Sequence, residues 1–146
     1  ALRDRFAYGT TGARIGLWFE VGTTTGDGGI EWFHMGEETE IDPAAGENAI
    51  ARIHVEQDGE NLERVSLLWL DPDRGEWEVC QEWTDPSSPM NVMADLGADC
   101  AAAGWNSYYV KVEQHANADG SPLPDEVPGW VEREMAWSSP IWIRMD

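Results

Sequence analysis

Apolar and polar residues alternate along several short segments of the chain. In residues 14–21, one phase is occupied by Ile15, Leu17, Phe19 and Val21. The same alternation recurs in residues 49–56, 64–70, 106–112 and 134–145. Because successive residues of a strand point to opposite faces of a sheet, each segment predicts a strand with one buried face. No window keeps the apolar spacing of an amphipathic helix, so little or no helix is expected.

The segment from 63 to 83 predicts a hairpin. Val65, Leu67 and Trp69 alternate up to the turn sequence DPDRG, in which proline presets φ and glycine accepts a positive φ. On the far side of the turn, Trp77 is predicted to face the core together with Trp69. Residues 84–104 predict a long connection that crosses between two sheets, residues 115–130 an irregular loop, and Pro140 an interruption of the last strand.

These elements predict an all-β fold. About seven antiparallel strands with one long crossover are typical of an immunoglobulin-like β-sandwich. The chain of 146 residues is long enough for one hydrophobic core. We therefore predict a single β-sandwich domain over residues 1–146, in which residues 1–11 are a junction or a donor segment.

The charge balance limits the classes of partner. The chain has 28 acidic and 9 basic residues, a formal net charge of −19. Such a surface repels phosphate backbones and anionic lipid, and no apolar run is long enough for a membrane helix. Nucleic acid and membrane insertion are therefore not expected. The acidity fits high salt, a cation-rich exterior or solubility alone, and the sequence does not choose among them.

The two cysteines, Cys80 and Cys100, permit one disulfide, with free buried thiols as the alternative. A closed loop of this length would stabilise the fold by about 3 kcal/mol. A disulfide favours an extracellular or cell-surface protein.

Catalytic and metal-binding motifs are absent from the sequence. The histidines, His34, His54 and His115, have no HxH or HExxH spacing, and no nucleophile elbow, P-loop or dinucleotide turn occurs. Calcium is the one metal worth considering, but the acidic turns DPDRGE and ADGSPLPDE lack the EF-hand spacing. We expect no catalytic residue, no cofactor and no enzymatic activity of this chain.

Nine tryptophans are an unusual number for this length. Exposed tryptophans lined up on one face would indicate a carbohydrate-binding module, so a glycan partner is kept open. Trp18 and Trp142 lie on the phase opposite to the apolar residues of their strands. A strand that is apolar on both faces is covered on both sides. Together with Phe6 and Tyr8 of the donor segment, these tryptophans are candidate subunit contacts.

Three segments resemble a known family. YGTTGARI (8–15), SYYVKVEQ (107–114) and AWSSPIWI (136–143) are similar to the C-terminal part of a large uncharacterised bacterial family related to the PHP (polymerase and histidinol phosphatase) metal-dependent phosphoesterases. MGEE (35–38) and ERVSLLW (63–69) fall in the expected order. The resemblance implies a β-sandwich that follows a metal-binding α/β barrel. The family's HxH belongs to the barrel and has no counterpart here, so no catalytic residue carries over.

Three functions follow as hypotheses. The first is a secreted, non-enzymatic structural or interaction module that forms homo-oligomers by β-strand addition, which can extend into a filament when contacts do not close. The second is an accessory C-terminal domain of a PHP-like phosphoesterase. The third is a carbohydrate-binding module.

Overall fold

A computed structural model of the chain describes residue 5 and residues 7–11, 14–25, 28–115 and 134–146. The described residues form a β-sandwich of two sheets, which confirms the predicted all-β class. Eleven strands and two 3₁₀ turns, at Pro43–Ala45 and Ala98–Cys100, account for the regular structure of these residues. The immunoglobulin-like topology stays a prediction. Within the described part of the chain, no helix has the length and apolarity to cross a bilayer.

Sheet B contains four antiparallel strands in the order β3-β2-β5-β8. Their bounds are β2 Gly16–Thr24, β3 Ile30–His34, β5 Ala49–Glu56 and β8 Met90–Asp95. The predicted phases are confirmed, because the following side chains are all buried: Ile15, Leu17, Phe19, Val21, Ala49, Ala51, Ile53 and Val55. The alternation therefore gives sheet B one core face and one solvent face.

Sheet A contains the other seven strands. Their bounds are β1 Tyr8–Thr10, β4 Glu38–Ile41, β6 Leu62–Asp71, β7 Glu76–Thr84, β9 Gly104–Gln114, β10 Glu134–Ser138 and β11 Ile141–Met145. The long strand β9 is central. It pairs with β6 on one edge and with β10 and β11 on the other.

The last two strands continue one another across a break at Ser139 and Pro140, as the proline predicts. Each carries a further short strand on its outer edge: β1 pairs antiparallel with β10, and β4 pairs parallel with β11. The parallel pair departs from the expected all-antiparallel sheet. It arises because the chain reaches β4 from sheet B rather than through a hairpin with β11.

The core between the sheets is apolar apart from a few buried polar side chains, of which Asn106 makes the most hydrogen bonds. Asn106 is fully buried and accepts hydrogen bonds from Trp69 Nε1 at 2.8 Å and from the Ala102 N–H at 2.9 Å. Its amide donates to the carbonyls of Ala102 and Gly104. The buried Tyr108 hydroxyl donates to the Cys100 carbonyl at 2.6 Å, and burial raises the pKa of this phenol. These bonds fasten the loop before β9 to the core.

Cys80 of β7 and Cys100 form the predicted disulfide. Cys80 lies at a register shift in the β6–β7 pair, where Leu67 faces Gln81 and Leu68 faces Val79. The bond therefore ties the edge strand of sheet A to the connection that returns from sheet B.

Two predictions about the hairpin region are wrong. Residues 84–104 do cross between the sheets, but they include strand β8 of sheet B. Trp77 is not in the core. The turn pairs Asp71 with Glu76, so Trp77 faces Leu70 on the solvent side and is 44% exposed. Turn length sets hairpin register, and a one-residue change of register moves a side chain to the other face. The predicted loop at 115–130 lies, apart from His115, outside the described residues.

Removal of the disulfide should destabilise the fold. The bond closes a loop with a sequence separation of 20, and loss of that constraint on the unfolded chain should lower the free energy of unfolding by about 3 kcal/mol. Urea unfolding of the protein with and without reductant would measure this. The Cys80→Ala/Cys100→Ala variant is the control, because reductant should not change its stability.

Truncation of the buried Asn106 side chain should also destabilise the fold. Asn106→Ala leaves the Trp69 and Ala102 N–H groups without their partner, so the free energy of unfolding should fall by about 2–3 kcal/mol. Asn91→Ala is the matched control, because Asn91 is exposed and its loss should cost less than about 0.5 kcal/mol. Equal losses in the two variants would contradict the role given to Asn106.

Candidate functional site

The candidate contact residues do not form one surface. Trp142 lies on the outer face of sheet A, whereas Trp18 lies on the outer face of sheet B, on the opposite side of the sandwich. Tyr8 is exposed on the edge strand β1. Phe6 lies outside the described residues. Trp18 and Trp142 therefore belong to two separate candidate sites.

An apolar patch covers the middle of the outer face of sheet A. We call it the aromatic patch, and its residues are Leu68, Leu70, Trp77, Val79, Trp105, Tyr109 and Trp142. Register places Trp77, Leu70, Ser107 and Trp142 in one row across strands β7, β6, β9 and β11. Val79, Leu68 and Tyr109 form the next row. The patch therefore spans four neighbouring strands, with the polar Ser107 between Leu70 and Trp142.

The aromatic rings of the patch pack on one another while staying open to solvent. The rings of Trp77 and Tyr109 meet edge to face, with centroids 4.6 Å apart and an interplanar angle of 88°. Burial raises the pKa of the Tyr109 phenol. Val79 and Trp105 at the margins are about half exposed. An exposed apolar patch of this kind is typical of a contact surface.

Charged residues of both signs lie around the patch. The strands present Glu38, Glu40, Glu82, Glu113, Arg64, Lys111 and Arg144 on this face, and the Arg5 guanidinium lies over the Trp142 ring, 5.0 Å from its centroid. Lys111 Nζ lies 3.1 Å from Glu113, and Arg144 Nη1 lies 3.4 Å from Glu40. With Asp146, which lies 3.1 Å from Arg144 Nε, five acids and four bases lie here, so the charges nearly cancel, although the whole chain has a net charge of −19.

The segments that carry the family resemblance meet beside this patch. The Gly36 N–H donates to the Pro140 carbonyl at 2.8 Å, and the Ser139 N–H donates to the Ala7 carbonyl at 2.9 Å. Gly36 has a φ of +91°, and a Cβ there would lie 2.3 Å from the Arg5 carbonyl oxygen. Glycine is therefore required for the approach that holds Arg5 over Trp142.

The outer face of sheet B has a different character. Trp18, Glu20, Arg52, His54, Asn91 and Met93 line a shallow hollow of about 420 Å³. The Trp18 and His54 rings pack with centroids 4.8 Å apart. Here polar side chains lie between two apolar ones, whereas leucines and valine separate the rings of the aromatic patch.

The histidines of the described residues lie in pairs with acidic or amide side chains. No three His, Cys, Asp or Glu side chains in the described part of the chain lie close enough to hold a metal ion. His115 Nε2 lies 2.9 Å from Asp85 on the surface, and His54 contacts Asn91 and Glu56. These are histidine–carboxylate and histidine–amide pairs.

Of the seven members of the patch, sequence reasoning named only Trp142 as an outward-facing contact residue. Trp105 and Tyr109 lie on the phase of β9 opposite to the buried Tyr108, so the alternation already contained the signal for an outward aromatic pair. Trp77 was assigned to the wrong face. Only the pairing of strands shows that these three residues join Trp142.

Comparison with known proteins identifies no relative. No protein-family model matches the chain, and neither a curated protein nor a solved structure does.

Substitution of Gly36 should weaken the junction beside the patch. Gly36→Ala forces a side chain into a positive φ and against the Arg5 backbone, so the free energy of unfolding should fall by about 2–3 kcal/mol. Gly46→Ala is the matched control: its φ is +84° and no heavy atom lies within 4 Å of its added Cβ. It should cost only about 1 kcal/mol. Urea unfolding of both variants would measure the difference, and equal costs would contradict a close approach at Gly36.

Proposed function

We propose that this chain is a non-enzymatic interaction module that self-associates through the aromatic patch. The observation that carries the proposal is the patch itself: three tryptophans, a tyrosine and three aliphatic residues on a solvent-facing sheet, opposite the core. Aromatic residues are enriched at the centres of protein interfaces. A second copy of the chain is the proposed occupant.

The size of the face is consistent with a dimer. Strand β9 has 11 residues, so at about 3.3 Å per residue it is about 36 Å long. Five strand positions at about 4.8 Å spacing make the sheet about 19 Å wide. The product is about 700 Å², close to the roughly 800 Å² that each partner contributes to a standard interface.

The charge distribution also favours this face for a second copy. Two chains with a net charge of −19 each repel one another over most of their surfaces. On the outer face of sheet A acids and bases nearly cancel, so the repulsion is weaker there. Arg144 and Glu40, which are neighbours in one row, could exchange partners across a two-fold axis, as an isologous contact requires.

Strand addition is a second route to the same function. Tyr8–Thr10 pairs with β10 of its own chain, so donation of this segment to another subunit requires its release from β10. Addition of a strand to the edge of β1 that is unpaired among the described residues needs no release, and if repeated head to tail it would build a filament. We favour the patch over donation of Tyr8–Thr10, because a contact through the patch leaves every described strand pair in place.

An extracellular or cell-surface location is part of the proposal. The Cys80–Cys100 disulfide supports it, since such bonds persist in oxidising compartments.

A charge placed in the patch should disrupt the proposed assembly. Trp77→Glu introduces a carboxylate among apolar side chains, so the dissociation constant of the assembly should rise about 10–100-fold. Sedimentation equilibrium over a range of protein concentrations would measure the dissociation constant. Raised salt should tighten self-association of the wild type, because it screens the repulsion between two acidic chains.

The matched control is Trp18→Glu, which adds the same charge at a residue of similar exposure on sheet B and should leave self-association unchanged. Assembly that survives Trp77→Glu would favour strand addition at the β1 edge, and electron microscopy would then test for filaments. A wild-type chain that stays monomeric at high concentration would contradict self-association. The patch would then fit the accessory-domain hypothesis, in which it packs on another domain.

A further inference from the structure

The hollow on sheet B is built from two neighbouring rows of directly paired residues. Trp18, His54 and Asn91 form one row across β2, β5 and β8. Glu20, Arg52 and Met93 form the next row. The two apolar members, Trp18 and Met93, occupy opposite corners, and the four polar side chains lie between them. A volume of about 420 Å³ lies within the range of small-molecule sites, about 300–1,000 Å³.

The polar side chains of the hollow are held in place before any ligand arrives. Glu20 accepts a hydrogen bond from Arg52 Nε at 2.7 Å and lies 2.8 Å from His34 Nδ1. The Arg52 guanidinium packs on the Trp32 ring, 3.9 Å from its centroid. Side chains fixed in this way lose little rotamer freedom when they bind.

Some hydrogen-bonding capacity is left over. Both Arg52 Nε and Arg52 Nη2 donate to Glu20, whereas Arg52 Nη1 has no partner among the described residues. The Asn91 amide uses its oxygen on His54, at 2.6 Å. Its nitrogen has no partner within the described part of the chain. A ligand that carries several hydroxyl groups can bond to both, because a hydroxyl donates and accepts.

Trp18 supplies the apolar half of the hollow. Its side chain is 48% exposed, and the tilted His54 ring supports one side of it. An indole face of this kind stacks on flat apolar surfaces, such as the C–H face of a sugar ring. Stacking beside fixed donors and acceptors is the combination that a sugar requires.

Charge limits the class of sugar. Within the hollow, Glu20 and Arg52 pair with one another, so neither is an uncompensated charge for an ionic ligand. The net charge of −19 on the chain repels anionic ligands. These two observations favour a neutral ligand.

We propose that the hollow on sheet B binds a neutral sugar residue of a glycan, with the ring stacked on Trp18 and its hydroxyls bonded to Arg52 and Asn91. This site goes beyond the proposed self-association and is independent of it, because the aromatic patch lies on the opposite sheet. The patch is not proposed as the sugar site, because its members are aromatic and aliphatic and supply few hydrogen-bonding groups.

Isothermal titration with neutral oligosaccharides tests the proposal. The probes are tetrasaccharides of glucose, mannose, galactose and xylose, with a galacturonic acid tetrasaccharide as the anionic comparison. At least one neutral probe should bind saturably at millimolar concentration or below, and the anionic probe should not. Bound sugar should also protect Trp18 from oxidation by N-bromosuccinimide, as read by peptide mass spectrometry.

Trp18→Ala and Trp105→Ala form a matched pair, because both tryptophans are 48% exposed and lie on opposite sheets. Trp18→Ala should weaken binding at least about tenfold, while Trp105→Ala should leave it unchanged. Arg52→Gln should weaken binding as well. Circular dichroism would confirm that each variant is folded, and protection of Trp18 in the wild-type protein does not depend on any variant.

Three outcomes would overturn the proposal. They are no saturable binding of any neutral probe, binding of the anionic probe alone, and equal loss of binding in Trp18→Ala and Trp105→Ala. Protection of Trp105 in place of Trp18 would move the site to sheet A and would likewise refute it.

Discussion

The backbone hydrogen bonds on both edges of strand β9 hold sheet A together. β6 lies on one edge, and β10 and β11 share the other. In the described residues, the short strands β1 and β4 pair only with β10 and β11. Their position in sheet A therefore depends on β9 indirectly, through β10 and β11. The same strand divides its side chains between Tyr108 in the core and Tyr109 in the aromatic patch. One element thus supplies both the stability of the fold and the middle of its candidate interface.

The loop that leads into β9 explains why this strand is held so firmly. The Cys80–Cys100 disulfide, the Tyr108 hydroxyl and the buried Asn106 amide all fasten residues 100–104 to the sandwich. These hydrogen bonds are partly buried, so leaving a partner unsatisfied costs more than the bond itself contributes. The edge strand β7, which carries Trp77, is anchored by the same disulfide. Stability of the loop and presentation of the patch are therefore coupled.

The two outer faces of the sandwich differ in what lies between their aromatic rings. On sheet A, Leu68, Leu70 and Val79 fill that space, which suits a dry contact with another protein surface. On sheet B, the Glu20–Arg52 pair and Asn91 lie beside Trp18, which suits a hydroxylated ligand. An acidic chain can carry both faces because its bases are concentrated where close approach is proposed: four of nine surround the aromatic patch.

The sequence alone determined the strand phases. Alternation around Ile15, Ile53 and Val110 is a local property, and it predicts burial because successive strand residues point to opposite faces. It also indicated the break at Pro140 and permitted the disulfide. The tertiary structure decided which strands pair, and pairing depends on turn register and on contacts between distant segments. The pairing of Asp71 with Glu76 decides the face of the sheet on which Trp77 lies. That face could therefore not be predicted from the Trp77 segment alone. Pairing likewise assigned Trp18 and Trp142 to opposite faces, although their local patterns are alike.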